Sequence, residues 1–256
     1  MVSFAANLHS IYWIDWACKL VLLEKRMIKI LLLFLLSNLI RSQDYTITAF
    51  GIPISKVNQN KEDRNKIIFS ANNIGIPGLI WPANNLYSSE FDSISYNITR
   101  WEKKIEQGEE KNKLIGEFDP IKFEISYNMK NVIKTNKPIK NIFSLLAMSQ
   151  SLSYEELDTK WFVFEHEGKI GNARFLWADT VSIFFRDKKI LCDHYRLDIR
   201  IENDQIKLND KSDYFMDQII SPDIIRQLWV SRKPIKQIIK ASIEIKGIKV
   251  IASIDE

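Results

Sequence analysis

Ile239-Lys-Ala-Ser-Ile-Glu-Ile-Lys-Gly-Ile-Lys-Val-Ile-Ala-Ser-Ile254 is the stretch whose reading decides the fold. Ile239, Ala241, Ile243 and Ile245 alternate with Lys240, Ser242, Glu244 and Lys246. Gly247 permits a turn or bulge, and Ile248, Val250, Ala252 and Ile254 resume the alternation. A period of two puts apolar side chains on one face of a strand and polar ones on the other. Two such strands about a glycine read as a hairpin with one face to bury.

The same pattern recurs toward the N-terminus. Tyr195, Leu197, Ile199 and Ile201 alternate with charged residues, as do Ile121, Phe123, Ile125, Tyr127 and Met129 with polar ones, and Ile94, Tyr96 and Ile98 with Ser95 and Asn97. Trp161–His166 and Lys169–Trp177 flank Glu167-Gly168, and Val181–Phe185 and Ile190–Cys192 flank Asp187-Lys188, so both pairs read as hairpins. Polar Asn58–Asn65 and Gln107–Lys113 read as surface loops or hairpin tips. Two segments break the pattern. After Pro138, Ile139, Ile142, Phe143 and Leu146 fall at helical spacing, which predicts a helix over Pro138–Ser149. A second short helix is expected around Asp213–Ile220.

Many half-apolar strands with one or two short helices predict a mostly β protein, a curved antiparallel sheet or incomplete β-barrel. A sheet with one greasy face must curl, close or receive a helix. Apolar residues make up 46% of the 256, enough for a sizeable core. Of 36 basic and 32 acidic residues, five and two fall in residues 1–43, so residues 44–256 carry 31 and 30. So neutral a body lacks the footprint of a nucleic-acid binder.

Lys25, Arg26 and Lys29 precede the apolar run Ile30–Ile40. Basic residues followed by about 7–15 apolar ones form a secretory signal, and the run is shorter than the ~20 residues of a membrane span. Residues 27–43 are therefore expected to be a signal peptide starting at Met27. Ile40-Arg41 before Ser42 offers no small-x-small cleavage site, so an uncleaved anchor stands as the alternative. Residues 1–26 read as an upstream over-extension of the reading frame or as a membrane-associated segment, although Asp15 and Lys19 interrupt the latter. Residues 44–256 form the expected single β-rich domain, exported to the periplasm or the periphery of an outer membrane. Within it Cys192 has no cysteine partner for a disulfide.

Tyr45-Thr-Ile-Thr-Ala-Phe-Gly-Ile-Pro-Ile-Ser55 resembles the opening of the exported bacterial family called domain of unknown function 3108. Trp229-Val-Ser231, Pro234-Ile-Lys236 and Gly247 are similar to that family's closing region, and Cys192-Asp-His-Tyr195 sits where it often runs a long strand. The resemblance spans roughly residues 45–255 and departs in the loops, notably 101–117, and at Pro53-Ile54, where the family usually has a glycine. It implies an envelope protein without an established activity, similar in architecture to curved half-barrels that carry lipid or acyl chains.

Catalytic motifs are absent: there is no G-x-S-x-G, P-loop or G-x-G-x-x-G. His166 and His194, with Glu165, Glu167, Cys192 and Asp193, have the residue types of a zinc site but no ligand spacing, and a solvated surface explains them more simply. Cys192 and His194 share a strand face roughly 6–7 Å apart, too far for a nucleophile–base bond. Asp119, Asp158, Asp179 and Asp187 stand where turn chemistry places them. No catalytic residue, cofactor or metal is predicted. The aromatics are more informative. Trp81, Trp101, Trp161, Trp177 and Trp229 are read as lining an apolar ligand cavity, a carbohydrate platform or a membrane-facing rim, with ordinary core and hairpin packing as the plain alternative. Gly75-Ile76-Pro77-Gly78-Leu79-Ile80-Trp81-Pro82 cannot be a regular central strand. Ile76, Leu79 and Trp81 are expected on a rim loop that touches lipid or closes a pocket, with a buried connection as the plain alternative. The function expected is binding of a hydrophobic ligand such as a lipid in a concave sheet. The alternatives are a non-catalytic scaffold that joins an envelope protein partner and has a packed core, and a hydrolase with an unrecognised site.

Overall fold

Among the described residues, the first and last strands lie side by side in the middle of one sheet. The computed structural model describes residues 41–204, 213–232 and 235–255, so the readings made for residues 1–40 lie outside the described residues. In chain order the elements are β1 (Arg41–Ala49), β2 (Ile52–Glu62), β3 (Lys66–Asn73), α1 (Gly75–Ile80), β4 (Asn84–Phe91), β5 (Ile98–Gln107), β6 (Glu110–Asp119), β7 (Glu124–Tyr127), β8 (Asn131–Lys134), α2 (Ile142–Ser149), α3 (Tyr154–Leu157), β9 (Trp161–His166), β10 (Lys169–Phe185), β11 (Lys188–Asp204), α4 (Tyr214–Ile220), β12 (Ile225–Ser231), β13 (Ile238–Ile245) and β14 (Ile248–Ile254). The sheet runs β8-β7-β6-β5-β4-β3-β2-β1-β14-β13-β12-β11-β10-β9, antiparallel at every step. It is the expected open, curved antiparallel sheet, with four short helices among the described residues instead of one or two. No helix of the described residues is long and apolar enough to cross a membrane.

The quoted hairpin is β13–β14, paired from Lys240↔Ser253 to Ile245↔Ile248. Its turn needs the left-handed backbone of Lys246 (φ 49°) and Gly247 (φ 80°). The hairpins β9–β10 and β10–β11 also form, and β10 and β11 run 17 residues each. At Gly171 the strands come so close that a Cβ would meet the Arg200 carbonyl oxygen at 1.9 Å.

Two alternations do not hold as strands. Ile94 and Tyr96 sit in a turn: the Asp92 carboxylate accepts from the Ile94 and Ser95 amides, and Tyr96 has φ 58°. In 121–129 only Glu124–Tyr127 is strand, because Asp119 caps the turn at Ile121-Lys122 and Asn128-Met129 are left-handed. Conversely, the polar 58–62 stretch continues β2, and the β5–β6 turn is only Gly108-Glu109.

The helix expected from Pro138 begins at Ile142. Asn141 caps it, accepting from the Ser144 amide at 2.9 Å while Ser144 Oγ accepts from the Asn141 amide at 3.1 Å. Residues 139–140 are extended instead. The Ile98 amide donates to the Ile139 carbonyl, the Lys140 amide to Val163, and the Glu165 amide to Lys140. This strap runs from the free edge of β9 to the start of β5. Above it α2 buries Ile142, Leu145, Ala147 and Met148 beneath the curved sheet. Two cores result. The larger joins Ile67, Phe91, Leu145, Phe164, Phe175 and Tyr195, and a smaller one lies under β5–β8 with Ile98, Trp101, Leu114, Ile125, Tyr127 and Ile139.

Candidate functional site

The concave face is not filled by its helices. A cavity of about 720 Å³ remains between the inner faces of β1–β4 and β11–β14, with α2 and α4 contributing to its wall. Tyr45, Ile47, Val57, Phe69, Tyr87, Leu197, Leu228, Ile243 and Val250 line it from the strands, Phe143 and Leu146 from α2, and Met216 and Ile219 from α4. The register explains the space. Ala241 faces Ala252, which lies one strand from Ile47, and Ala71 sits between Val57 and Asn85. A belt of short side chains at inward positions leaves a void that Leu or Phe there would close.

Polar groups on the wall are few, and most have partners. Gln59 Nε2 donates to Gln150 Oε1 at 3.0 Å, and Ser55 Oγ to the Asn72 carbonyl at 2.8 Å. Arg226, 4% exposed, donates to the carbonyls of Leu197, Ile219, Ser221 and Ile224, fastening the end of α4 to the sheet. Burial pushes its guanidinium down to about 10, so it stays charged at neutral pH. Asn85 Oδ1 is buried without a partner. No Asp, Glu, His or Cys lines the cavity among the described residues, so its wall offers no general acid–base pair.

The mouth is marked by Trp81, which lines the cavity and is 60% exposed. The predicted loop around it is the short helix α1, no residue of which is buried; Ile76 and Leu79 are exposed there. The remaining tryptophans lie elsewhere. Trp101 is buried in the smaller core, edge-on to Tyr127 at 6.1 Å and against Gly116. Trp161 lies between the Arg174 and Arg200 guanidiniums at 4.4 and 4.8 Å. Trp177 stacks on Tyr154 at 5.1 Å, and Trp229 on His194 at 4.5 Å. For Trp161 and Trp229 the cause is the strand period: each neighbours an inward residue, Phe162 and Leu228, and so projects outward. Aliphatic, alanine and smaller aromatic side chains, on strands that adjoin in the sheet but lie far apart in sequence, form the wall instead. Only the pairing register brings them together.

The histidines and cysteine separate. His166 joins a buried polar cluster: Lys103 pairs with Glu167, His166 Nε2 lies 3.4 Å from Glu167 Oε1, and the Tyr127 hydroxyl donates to Glu165. Burial pushes the Glu165 carboxyl up to about 7 and holds His166 below its usual range. Cys192 is buried on β11, with burial pushing its thiol up to about 11. His194 Nδ1 is 2.9 Å from Asp179 and its Nε2 is 3.2 Å from Gln227 Nε2. No group of three or more His, Cys, Asp or Glu side chains that could hold a metal is found among the described residues.

No family model matches the chain, and no curated protein matches it. Among solved structures it is similar to a β-barrel-like protein of domain of unknown function 1849 from Brucella abortus. The TM-score is 0.56 at 7% identity, over 86% of this chain and 97% of that one. A likeness at that identity carries the fold: this chain has a β-barrel-like architecture.

Proposed function

We propose that the protein is a non-catalytic carrier of one amphiphilic hydrocarbon ligand, such as a lipid or fatty acid, held with its chain in the cavity. The observation that carries this reading is the 720 Å³ apolar void. At ~30 Å³ for a water- or methylene-sized group, it takes roughly two dozen such groups. That suits one long alkyl chain with part of its head. Burial of a dozen methylenes contributes ~10 kcal/mol, at ~0.8 kcal/mol each, before the cost of association. Few polar anchors are needed for such a ligand. A scaffold with a fully packed core would leave no such space, which favours the carrier over an envelope scaffold. Export, and kinship with the domain of unknown function 3108 proteins that residues 45–255 resemble, belong to the same proposal.

Organic extraction of purified protein followed by mass spectrometry tests it. A stoichiometric lipid, or displaceable uptake of a fluorescent fatty acid, is expected. Filling the cavity with Ala71→Phe and Ala241→Phe abolishes uptake while the fold survives. A clean extract and no uptake by the folded protein would refute the carrier.

A further inference from the structure

Two chain reversals at the mouth expose apolar side chains to solvent. The β1–β2 turn presents Phe50 and Ile52, 78% and 61% exposed. Next to it α1 presents Ile76, Leu79, Ile80 and Trp81, 60–85% exposed. The two tips are joined: the Ile74 amide donates to the Ile54 carbonyl at 3.0 Å. Neither tip carries a charge, since residues 49–55 and 73–83 contain no Asp, Glu, Lys or Arg.

We propose that these tips insert into the surface of a lipid bilayer and set the cavity mouth against it, which is where a carrier exchanges its ligand; this rests on the carrier reading. Three features select a bilayer as the occupant. The two tips themselves carry no charge, which matches hydrocarbon, while the adjoining β5–β6 and β13–β14 turns place Glu109 and Lys246 at headgroup-facing flanks. The patch ends in a Pro-flanked tryptophan, a side chain suited to the boundary between chains and headgroups. It is continuous with the cavity wall through Trp81, so an alkyl chain leaving the cavity passes over apolar residues without entering water.

The test is flotation of the full chain with neutral phosphatidylcholine vesicles at low and high salt. Binding independent of salt is expected, because the inserting tips carry no charge. Phe50→Ser, Leu79→Ser and Ile80→Ser, none of which lines the cavity, should each weaken vesicle binding about tenfold. They should leave fatty-acid uptake in solution and thermal unfolding unchanged. A polarity-sensitive dye on Leu79→Cys should shift to the blue with vesicles, and one on Arg64→Cys, in the β2–β3 turn at the other end of those strands, should not. A wild-type chain that does not float, or a triple variant that floats equally well, overturns the proposal. So does a dimer in sedimentation that the triple variant abolishes, which would assign the patch to a second copy. Fatty-acid uptake without flotation overturns this proposal and spares the carrier. Flotation without uptake supports the rim and overturns the carrier.

Discussion

Replacing Glu165 with Gln should make the protein more stable at pH 8 and change how its stability depends on pH. Glu165 is wholly buried, and burial moves its carboxyl from 4.5 to about 7; neighbouring Glu167 pushes the same way, against the Tyr127 hydroxyl, the Gly168 amide and Trp101. A raised carboxyl keeps its proton in the folded state at pH values where the unfolded chain has released it. Its stabilising effect is therefore fully present below pH 4.5 and is lost as pH rises through about 7. At ~1.4 kcal/mol per unit, the span from 4.5 to 7 amounts to about 3 kcal/mol. The amide of Glu165→Gln never ionises, and its oxygen can still accept from Tyr127 and Gly168. His166, held low by burial, acts in the opposite sense below 6.5, but it is common to both proteins and drops out of their difference. Urea unfolding of both proteins between about pH 4.5 and 8 measures that difference. The variant should gain about 3 kcal/mol on the wild type across the range, mostly below pH 7. Parallel stability curves would show that the Glu165 carboxyl is no harder to ionise in the folded protein than in the unfolded chain, and would refute the reasoning.

Other substitutions probe the frame around the cavity. Gly171→Ala drives a Cβ into the Arg200 carbonyl and should cost about 3 kcal/mol, read as a lower Tm. Asn141→Ala removes the α2 cap and its bonds to Ser89 and should cost ~1–2 kcal/mol, with Asn141→Asp recovering part of it. Trp161→Ala should cost about 1 kcal/mol, from two cation–π contacts on a partly exposed ring, and leave fatty-acid uptake unchanged. Cys192, buried with a raised thiol, should resist alkylation in the native protein and react on unfolding, as peptide mass mapping would show.

The architecture was legible where alternation ran long. The β13–β14 hairpin and the long partner strands β10 and β11 follow from side-chain period and turn residues. Ile94-Ser-Tyr-Asn-Ile98 misled because five residues of alternation carry little weight beside one aspartate. Asp92 offers three nearby donors a carboxylate, and a turn satisfies them better than a ladder does. Pro138 misled because it suits both the first turn of a helix and the extended strand it enters here. The cavity lay beyond the sequence for another reason. Its wall includes Ala71, Ala241 and Ala252 on three different strands, and 170 residues separate the first two. Tryptophans attracted notice because they are large, yet a void is marked by what is small. The uncharged stretch at 74–82 was the one local signal that reached the mouth, because α1 is short and its side chains have no other element to cover.

Among the described residues, the antiparallel ribbon of fourteen strands has two raw margins where a foreign strand could add on and polymerise. Hydrogen bonds from Lys140 and Glu165 occupy one of them, along β9. The other, β8, is four residues long, preceded by Lys130 and ending in Lys134. Strap and lysines thus give a sheet with a hollow interior little margin on which to grow fibrils. Opening the strap, for instance with proline at Lys140, would expose β9 as a template, and self-association would then outpace any loss of ligand.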